Sequence, residues 1–91
     1  PTTSAPLAAL SPALRERLRR VKLLAVDVDG TLTDAGIYLG ENGEVVKRWN
    51  SRDGYGIHLA VTHGLRVAFV TGRQSPLVTA RAAELHVDEV Y

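Results

Sequence analysis

Two short apolar runs, each followed at once by polar residues and glycine, constrain the fold of this chain most strongly. The first, within VKLLAVDVDG, ends in Asp27 to Gly30, and the second, Leu65 to Val70, ends in Thr71-Gly72-Arg73. Brief apolar runs of this kind are typical of buried strands in a parallel sheet. Ligands of such sheets bind beyond the carboxyl ends of the strands. We therefore expect both polar loops to lie at one edge of the sheet, where a site would form.

Two serine–proline pairs mark the starts of helices on either side of these runs. Ser11-Pro12 predicts a short amphipathic helix over residues 12–20, with serine as the cap and proline in the first turn. Ser75-Pro76 predicts a helix after the second run. The apolar face of that helix is expected to contain Val78, Ala82 and Leu85. Strands that alternate with helices indicate a parallel α/β sheet.

The segment between the two runs predicts a β-hairpin and a further helix. Asn42-Gly43 separates two β-prone stretches, which is a strong signal for a hairpin over about residues 37–49. An isolated hairpin is only marginally stable, so it needs a surface to lie on or copies of itself from other subunits. A helix over about residues 54–62 is expected to follow, capped by Ser51 or Asp53.

The length of 91 residues suits one small domain. We expect a flexible arm over residues 1–11 and an α/β domain over residues 12–91, with a Rossmann-like parallel sheet and an inserted hairpin. A third parallel strand begins at Val87 and the chain stops at Tyr91. A sheet of three short strands has unprotected edges. This predicts that the domain is truncated after its third parallel strand, or that other chains complete it.

Composition excludes several classes of function. A formal charge of +1 gives no reason to expect nucleic acid as a partner, and the basic cluster around residues 15–22 is interpreted as a solvated helix face. No apolar stretch approaches the ~20 residues that cross a bilayer, so no membrane partner is expected. The chain has no cysteine, which excludes disulfides and cysteine nucleophiles and fits a reducing cytoplasm.

The strongest chemical signal is a pair of carboxylates at the end of the first run. Asp27 and Asp29 are two positions apart, so on a strand their side chains point the same way. Two such carboxylates repel each other, and one proton or one divalent cation relieves the repulsion. Mg²⁺ prefers carboxylate oxygens and retains several water ligands. The alternative is that the two acids only end a strand and start a turn.

DVDGTLT resembles the first motif of the haloacid dehalogenase superfamily of phosphohydrolases, and Thr71-Gly72-Arg73 resembles the second. The resemblance implies that Asp27 attacks phosphorus to form an aspartyl-phosphate, while Asp29 protonates the leaving oxygen and then activates water. It implies that Mg²⁺ binds at Asp27 and Asp29. It further implies that Thr71 binds phosphoryl oxygens, helped by main-chain N–H groups of Gly30 and Gly72.

IYLGENGEVVKRWNSRDGYGI resembles the hairpin and following turn of 3-deoxy-D-manno-octulosonate 8-phosphate phosphatases, a branch with a minimal cap. That family makes precursors of lipopolysaccharide in the cytoplasm, and its hairpins assemble into a homotetramer. The resemblance implies a sugar-acid phosphate as substrate. The substrate-contacting positions that it implies are Asn50, Ser51, Arg52, Asp53, Gly54, Arg73 and Arg81. His58 stands where family members often carry another substrate-contacting arginine.

Two further elements of the family pattern are expected after Tyr91, namely a lysine that fixes the nucleophile and an acidic Gly-Asp-Asp motif. The lysines within the chain, Lys22 and Lys47, do not stand in the sequence context of that lysine. Removing an electrostatic group of this kind typically costs about 10²–10³ in rate. We therefore expect the 91-residue chain alone to be weakly active or inactive.

Three alternatives stay open at this point. The substrate could instead be an acylneuraminate 9-phosphate, or the domain could accompany a cytidylyltransferase. A fragment without catalysis could serve as an oligomerisation or binding module through its hairpin. A phosphotransfer receiver-like domain also has an aspartate at a strand end, but it does not require DxDGT followed by an Asn-Gly hairpin.

Overall fold

The computed structural model describes residues 9–73 and 75–91, so most of the expected arm over residues 1–11 lies outside the described residues. The fold is α/β, as the sequence predicts. In chain order the elements are α1 (Pro12–Arg19), β1 (Leu23–Asp27), β2 (Tyr38–Gly40), β3 (Gly43–Val46), α2 (Ser51–Thr62), β4 (Arg66–Val70), α3 (Pro76–Glu84) and β5 (Glu89–Val90).

A parallel sheet with the strand order β1-β4-β5 forms the centre of the fold. β1 pairs with β4 from Leu23 opposite Arg66 to Asp27 opposite Val70. The expected parallel arrangement is therefore confirmed. The expected burial of the first strand is wrong, because β1 lies at the edge of the sheet and Leu23 and Leu24 are 44% and 43% exposed.

The hydrophobic core lies between β4 and the two helices that flank it in sequence. Phe69 of β4 is fully buried, and Val78 of α3 is 1% exposed. The apolar face expected for α3 is confirmed, because Val78, Ala82 and Leu85 all belong to this core. Trp49, just before α2, packs on the same cluster and stacks on Phe69 with ring centroids 6.3 Å apart.

β2 and β3 form the expected antiparallel hairpin. Gly43 closes the turn with a φ of +112°, a conformation that glycine adopts without strain. Much of the hairpin's apolar surface faces outward, since Ile37 is 56% exposed and Leu39 is 71% exposed. A bridge between Thr33 and Trp49 joins the segment that follows β1 to the segment that follows the hairpin. The hairpin is thus attached at its base while its strands remain uncovered.

Side-chain caps define the starts of the three helices. Ser11 caps α1 and Ser75 caps α3, as the two serine–proline pairs predict. The cap expected for α2 is wrong, because Asn50 takes this position and its Oδ1 accepts a hydrogen bond of 2.8 Å from the Arg52 N–H. Asparagine caps as well as serine or aspartate, so α2 begins earlier than expected. None of the helices in the described ranges is long and apolar enough to cross a membrane.

Replacing Phe69 by alanine is expected to destabilise the fold by about 3–5 kcal/mol, because the substitution leaves a cavity in the core. Unfolding in urea, followed by circular dichroism, measures the loss. Val70→Ala on the same strand is the matched control, since Val70 is 44% exposed. It is expected to cost about 1 kcal/mol or less. Equal losses for the two variants would contradict the placement of the core.

Candidate active site

The pairing of β1 with β4 brings the two polar loops to one edge of the sheet. Asp27, the last residue of β1, is opposite Val70, the last residue of β4. Thr71 follows Val70 directly, so the loop that contains Asp29 and the loop that contains Thr71 leave neighbouring strands side by side. This is the edge at which open parallel sheets bind ligands.

The loop after β1 is held by hydrogen bonds to one carbonyl group. The carbonyl oxygen of Val28 accepts hydrogen bonds from the N–H groups of Thr31, Leu32 and Thr33 at 3.2, 2.9 and 3.2 Å. Gly30 lies within this turn at a φ of +83°, where a side chain would be strained. The Thr31 hydroxyl donates to Asp27 Oδ2 at 3.2 Å. The turn therefore orients the carboxylate that the sequence singles out.

Lys47 contacts the second aspartate of the pair. Its Nζ lies 2.7 Å from Asp29 Oδ1 and 3.1 Å from Glu44 Oε1. The Lys47 side chain is 2% exposed. Among the described residues, Lys47 is the one charged residue that is buried. Sequence reasoning missed this contact because the two residues are 18 positions apart. One local feature of the sequence could have indicated a paired lysine, namely the glutamate three positions before Lys47.

The charge of Lys47 is maintained by its two partners. Burial by itself lowers the pKa of a lysine, but the hydrogen bonds to Asp29 and Glu44 outweigh this effect and raise the pKa of Lys47 above its usual value. The ammonium group therefore stays charged at neutral pH. An unpaired charge in this position would be strongly destabilising.

A cleft of about 510 Å³ opens beside the loop after β1. It is lined by that loop and by the start of α2, including Asn50, Ser51, Arg52 and Asp53 of the predicted substrate-binding set. Arg48 also lines the cleft, and sequence reasoning did not single it out. The cleft thus offers charged and polar side chains to a ligand.

The loop after β4 is folded back on itself. The Arg73 N–H donates to Thr71 Oγ1 at 3.2 Å. The Thr71 hydroxyl, which the family resemblance predicts to bind phosphate, therefore takes part in a local turn. The Thr71 N–H donates to the carbonyl oxygen of Tyr91 at 2.7 Å. Gly72 and Arg73 are exposed. Thr71 and Arg73 border a wider hollow, of about 920 Å³, between the loop and α3.

Arg81 lies against the start of α2. Its guanidinium carbon is 5.9 Å from the centroid of the Trp49 ring, and its Nη2 occupies the space beside Gly54. Within the described ranges the buried Nε of Arg81 has no hydrogen-bond partner. In this position Arg81 supports the turn that carries the predicted substrate-binding residues, and the glycine at position 54 leaves room for it.

His58 is directed away from this edge. The His58 ring lies 5.3 Å from the ring of His86. His86 comes shortly before β5, so it lies at the edge of the sheet where the parallel strands begin. Within one subunit the structure brings together two groups of predicted residues, and His58 is in neither. They are Asn50 to Asp53, which line one cleft together with the loop residues that follow Gly30, and the neighbouring loop Thr71–Arg73, which leaves the strand paired with β1.

The donor set at the end of β1 is compatible with Mg²⁺. Asp27 is exposed and uses one carboxylate oxygen, Oδ2, for its hydrogen bond to Thr31. No group of three histidine, cysteine or acidic side chains suited to a metal occurs in residues 9–73 and 75–91. Mg²⁺ does not need one, because it commonly binds one or two carboxylates together with water and substrate phosphate.

Comparisons with known proteins agree with this arrangement, although no protein-family model matches the chain. The 3-deoxy-D-manno-octulosonate 8-phosphate phosphatase of Salmonella typhimurium is 45% identical over 82 residues, which are 90% of this chain and 44% of that protein. The structure of the phosphatase of the same name from Yersinia pestis aligns with a TM-score of 0.79 at 39% identity, over 90% of this chain and 44% of that one.

A third relative carries ligands. The structure of the Moraxella catarrhalis phosphatase, in complex with a magnesium ion, a phosphate ion and a KDO molecule, aligns with a TM-score of 0.75 at 35% identity. The match covers 82% of this chain and 43% of that one. The chain is a homologue of these phosphatases. It shares their haloacid dehalogenase fold, as the resemblance of DVDGTLT implied, and it spans less than half of their length.

Two glycines of α2 provide a test of the packing around Arg81. Gly56→Ala is expected to stabilise the helix by about 0.5–1 kcal/mol, because alanine favours helices and nothing lies within 4 Å of the added carbon. Gly54→Ala is expected to lose this gain, because the added carbon meets the Arg81 guanidinium.

Urea unfolding measures the two stabilities, and the fluorescence of Trp49, the one tryptophan of the sequence, reports on Arg81. Only Gly54→Ala is expected to change the emission of the folded protein. The same gain in stability and the same emission for both variants would contradict the placement of Arg81.

Proposed function

We propose that the protein carrying this chain hydrolyses 3-deoxy-D-manno-octulosonate 8-phosphate, the phosphate monoester of an eight-carbon sugar acid. The observation that carries the proposal is the position of Asp27 and Asp29. Asp27 ends β1 and Asp29 lies in the loop after it, next to the Thr71 loop, in a chain 45% identical over 82 residues to a phosphatase of that name. The substrate combines an anionic phosphate with a carboxylate, and the arginines around the site suit both groups.

The chemistry divides between the two aspartates. A carboxylate oxygen of Asp27 attacks phosphorus, a new O–P bond forms, and the bond from phosphorus to the sugar oxygen breaks. Asp29 gives its proton to that leaving oxygen, so the sugar acid departs as an alcohol. Water then attacks the aspartyl-phosphate and loses its proton to Asp29, which releases inorganic phosphate and restores both carboxyl groups. Splitting the reaction into two steps lowers each barrier.

Mg²⁺ is the proposed cofactor, held by a carboxylate oxygen of Asp27 and an oxygen of Asp29. When bound, it would offset the repulsion between the carboxylate and the anionic phosphate. The Thr31 hydroxyl keeps the Asp27 carboxylate oriented toward the site. The N–H group of Gly72 and the Thr71 hydroxyl are proposed to bind phosphoryl oxygens. The N–H group of Gly30 donates to Thr33 Oγ1 at 3.3 Å and is proposed to exchange this partner for a phosphoryl oxygen.

The sugar acid is proposed to occupy the cleft at the start of α2. Ser51, Arg52 and Asp53 line this cleft and are exposed, and Asn50 and Gly54 shape the turn that presents them. Arg73 is exposed at the edge of the neighbouring loop and within the sequence pattern that binds phosphate. Arg81 and His58 are packed on other side chains. A direct contact with substrate would require Arg81 to leave Trp49, and His58 to act from a neighbouring subunit.

Phosphate release from 3-deoxy-D-manno-octulosonate 8-phosphate by the complete protein tests the proposal. Hydrolysis is expected to require Mg²⁺ and to stop with EDTA. Asp27→Asn is expected to lower kcat by at least about 10⁴-fold, because no covalent intermediate can form. Asp29→Asn is expected to lower it by about 10²–10⁴-fold, the usual contribution of an acid–base group.

Two controls make the result decisive. Asp88→Asn changes an exposed aspartate near the opposite edge of the sheet and is expected to leave the rate unchanged. An acylneuraminate 9-phosphate is expected to be a poorer substrate as judged by kcat/KM. Full activity of Asp27→Asn would refute the mechanism, and a preference for the nine-carbon substrate would refute the substrate assignment.

We also propose that the protein assembles as a homotetramer through the hairpin. The support is the exposed apolar surface that β2 and β3 present, with Leu39 at 71% and Val45 at 54% exposure. A hairpin with this much uncovered apolar area gains stability by packing on copies of itself.

Placing a charge on this surface tests the assembly. Leu39→Asp is expected to reduce the tetramer to smaller species in sedimentation velocity, because an aspartate cannot be buried unpaired in an apolar contact. Leu14→Asp is the matched control, since Leu14 is a 41% exposed leucine of α1. An unchanged tetramer for Leu39→Asp, or dissociation by both variants, would contradict an assembly through the hairpin.

A further inference from the structure

The hairpin carries a buried cation whose partner is the proposed acid of the reaction. Lys47 follows β3, its side chain is 2% exposed, and its ammonium group lies 2.7 Å from Asp29 Oδ1. The second partner, Glu44, is 3.1 Å away on the same hairpin and is itself only 12% exposed as a side chain. A contact this short from an ammonium group to a carboxyl oxygen is a strong, charge-assisted hydrogen bond.

Lys47 binds one oxygen of the Asp29 carboxyl group and does not contact the other. In the described ranges Asp29 Oδ1 accepts from Lys47, whereas Oδ2 has no hydrogen bond from the protein. The carboxyl group is 32% exposed, so its free oxygen has access to the site. Fixing one oxygen removes the rotation of the side chain and sets the direction in which the other oxygen points.

We propose that Lys47 is a positioning residue, which holds Asp29 by Oδ1 so that Oδ2 faces the leaving oxygen of the substrate. Lys47 does not touch the substrate in this proposal and acts only through Asp29. The proposal rests on the assignment of Asp29 as the acid in the proposed function. It gives the base of the hairpin a role in the chemistry, separate from any role of its exposed strands in assembly.

The geometry explains why a lysine is used here. Its ammonium group donates up to three hydrogen bonds and can therefore hold Asp29 and Glu44 together. The contact with Glu44 holds the ammonium group against the hairpin and away from solvent. Without Lys47, Asp29 and Glu44 would be two neighbouring carboxylates with no cation between them, and Asp29 would be free to turn away.

Substrates with different leaving groups separate this role from a structural one. A sugar phosphate leaves as an alkoxide and needs the proton of Asp29, whereas p-nitrophenyl phosphate has a stable leaving group and needs it little. In the complete protein, Lys47→Met is expected to lower kcat for 3-deoxy-D-manno-octulosonate 8-phosphate by about 10²-fold, the lower range for an acid–base group. We expect KM to change little, and kcat for p-nitrophenyl phosphate to fall by less than about 5-fold.

Three variants complete the kinetic test. Lys47→Arg keeps a charged donor and is expected to recover part of the lost rate. Lys47→Met is expected to have no further effect in a protein that already carries Asp29→Asn, because the two residues act as a unit. Lys22→Met, at the other lysine of the sequence, is exposed and is expected to leave both rates unchanged. Equal losses for both substrates, or additive losses in the double variant, would overturn the proposal.

Crystal structures of the complete protein and of Lys47→Met provide a readout that does not depend on activity. The Asp29 carboxyl group is expected to change rotamer in the variant while Asp27 and the turn after β1 stay in place. An unmoved Asp29 would overturn the positioning role. If the unaltered protein hydrolysed neither phosphate ester, the proposed function would fail, whereas the position of Asp29 in the two structures would still decide whether Lys47 holds it.

Discussion

The parallel pairing of β1 with β4 is the constraint on which the site depends. Because Asp27 is opposite Val70, the two loops that follow these strands begin at the same level. A displacement of one residue between the strands would turn the side chains of one strand to the other face of the sheet. The carboxylate of Asp27 and the hydroxyl of Thr71 would then no longer keep their present relative position. The geometry of the proposed site therefore depends on main-chain hydrogen bonds that involve none of the proposed reacting groups.

The core secures that pairing from one side only. Phe69 and the apolar faces of α2 and α3 enclose β4, whereas β1 is exposed at the sheet edge and α1 contains no buried residue in the described part of the chain. The relatives match this chain over about 44% of their length. The best-packed part of the molecule is therefore the part beneath the β4 loop, while the strand that carries Asp27 depends on β4 for its position.

The sequence allowed the order of elements to be predicted, together with the placing of the Asp27–Gly30 and Thr71–Arg73 segments at one edge of the sheet. Apolar runs ending in polar residues marked β1 and β4, serine–proline pairs marked α1 and α3, and Asn42-Gly43 marked the hairpin. These signals are local, since each depends on the conformational preference of a few adjacent residues. The cap of α2 was mistaken because Asn50, Ser51 and Asp53 are all good caps, and sequence alone does not rank them.

The features that could not be predicted involve residues distant in sequence. Apolar periodicity does not distinguish an edge strand from a central one, so the exposure of Leu23 and Leu24 was not foreseen. Arg81 had the pattern of a substrate ligand, but the structure places it against Trp49 and Gly54. In the sequence, Lys47 could be described only as lying outside the sequence context of the family's lysine, and its burial depends on contacts with Asp29 and Glu44.

The attachment of the hairpin has a consequence for how this sequence can change. Lys47 reaches Asp29 only because it lies one residue beyond β3, and side chains alternate between the two faces of a strand. Lengthening β3 by one residue would present Val46 to Asp29, shortening it by one would present Arg48, and either change would turn the lysine outward. Insertions and deletions between the turn at Asn42-Gly43 and Trp49 are therefore constrained. The spacing of this short segment is thus under a restriction that its amino-acid types alone do not reveal.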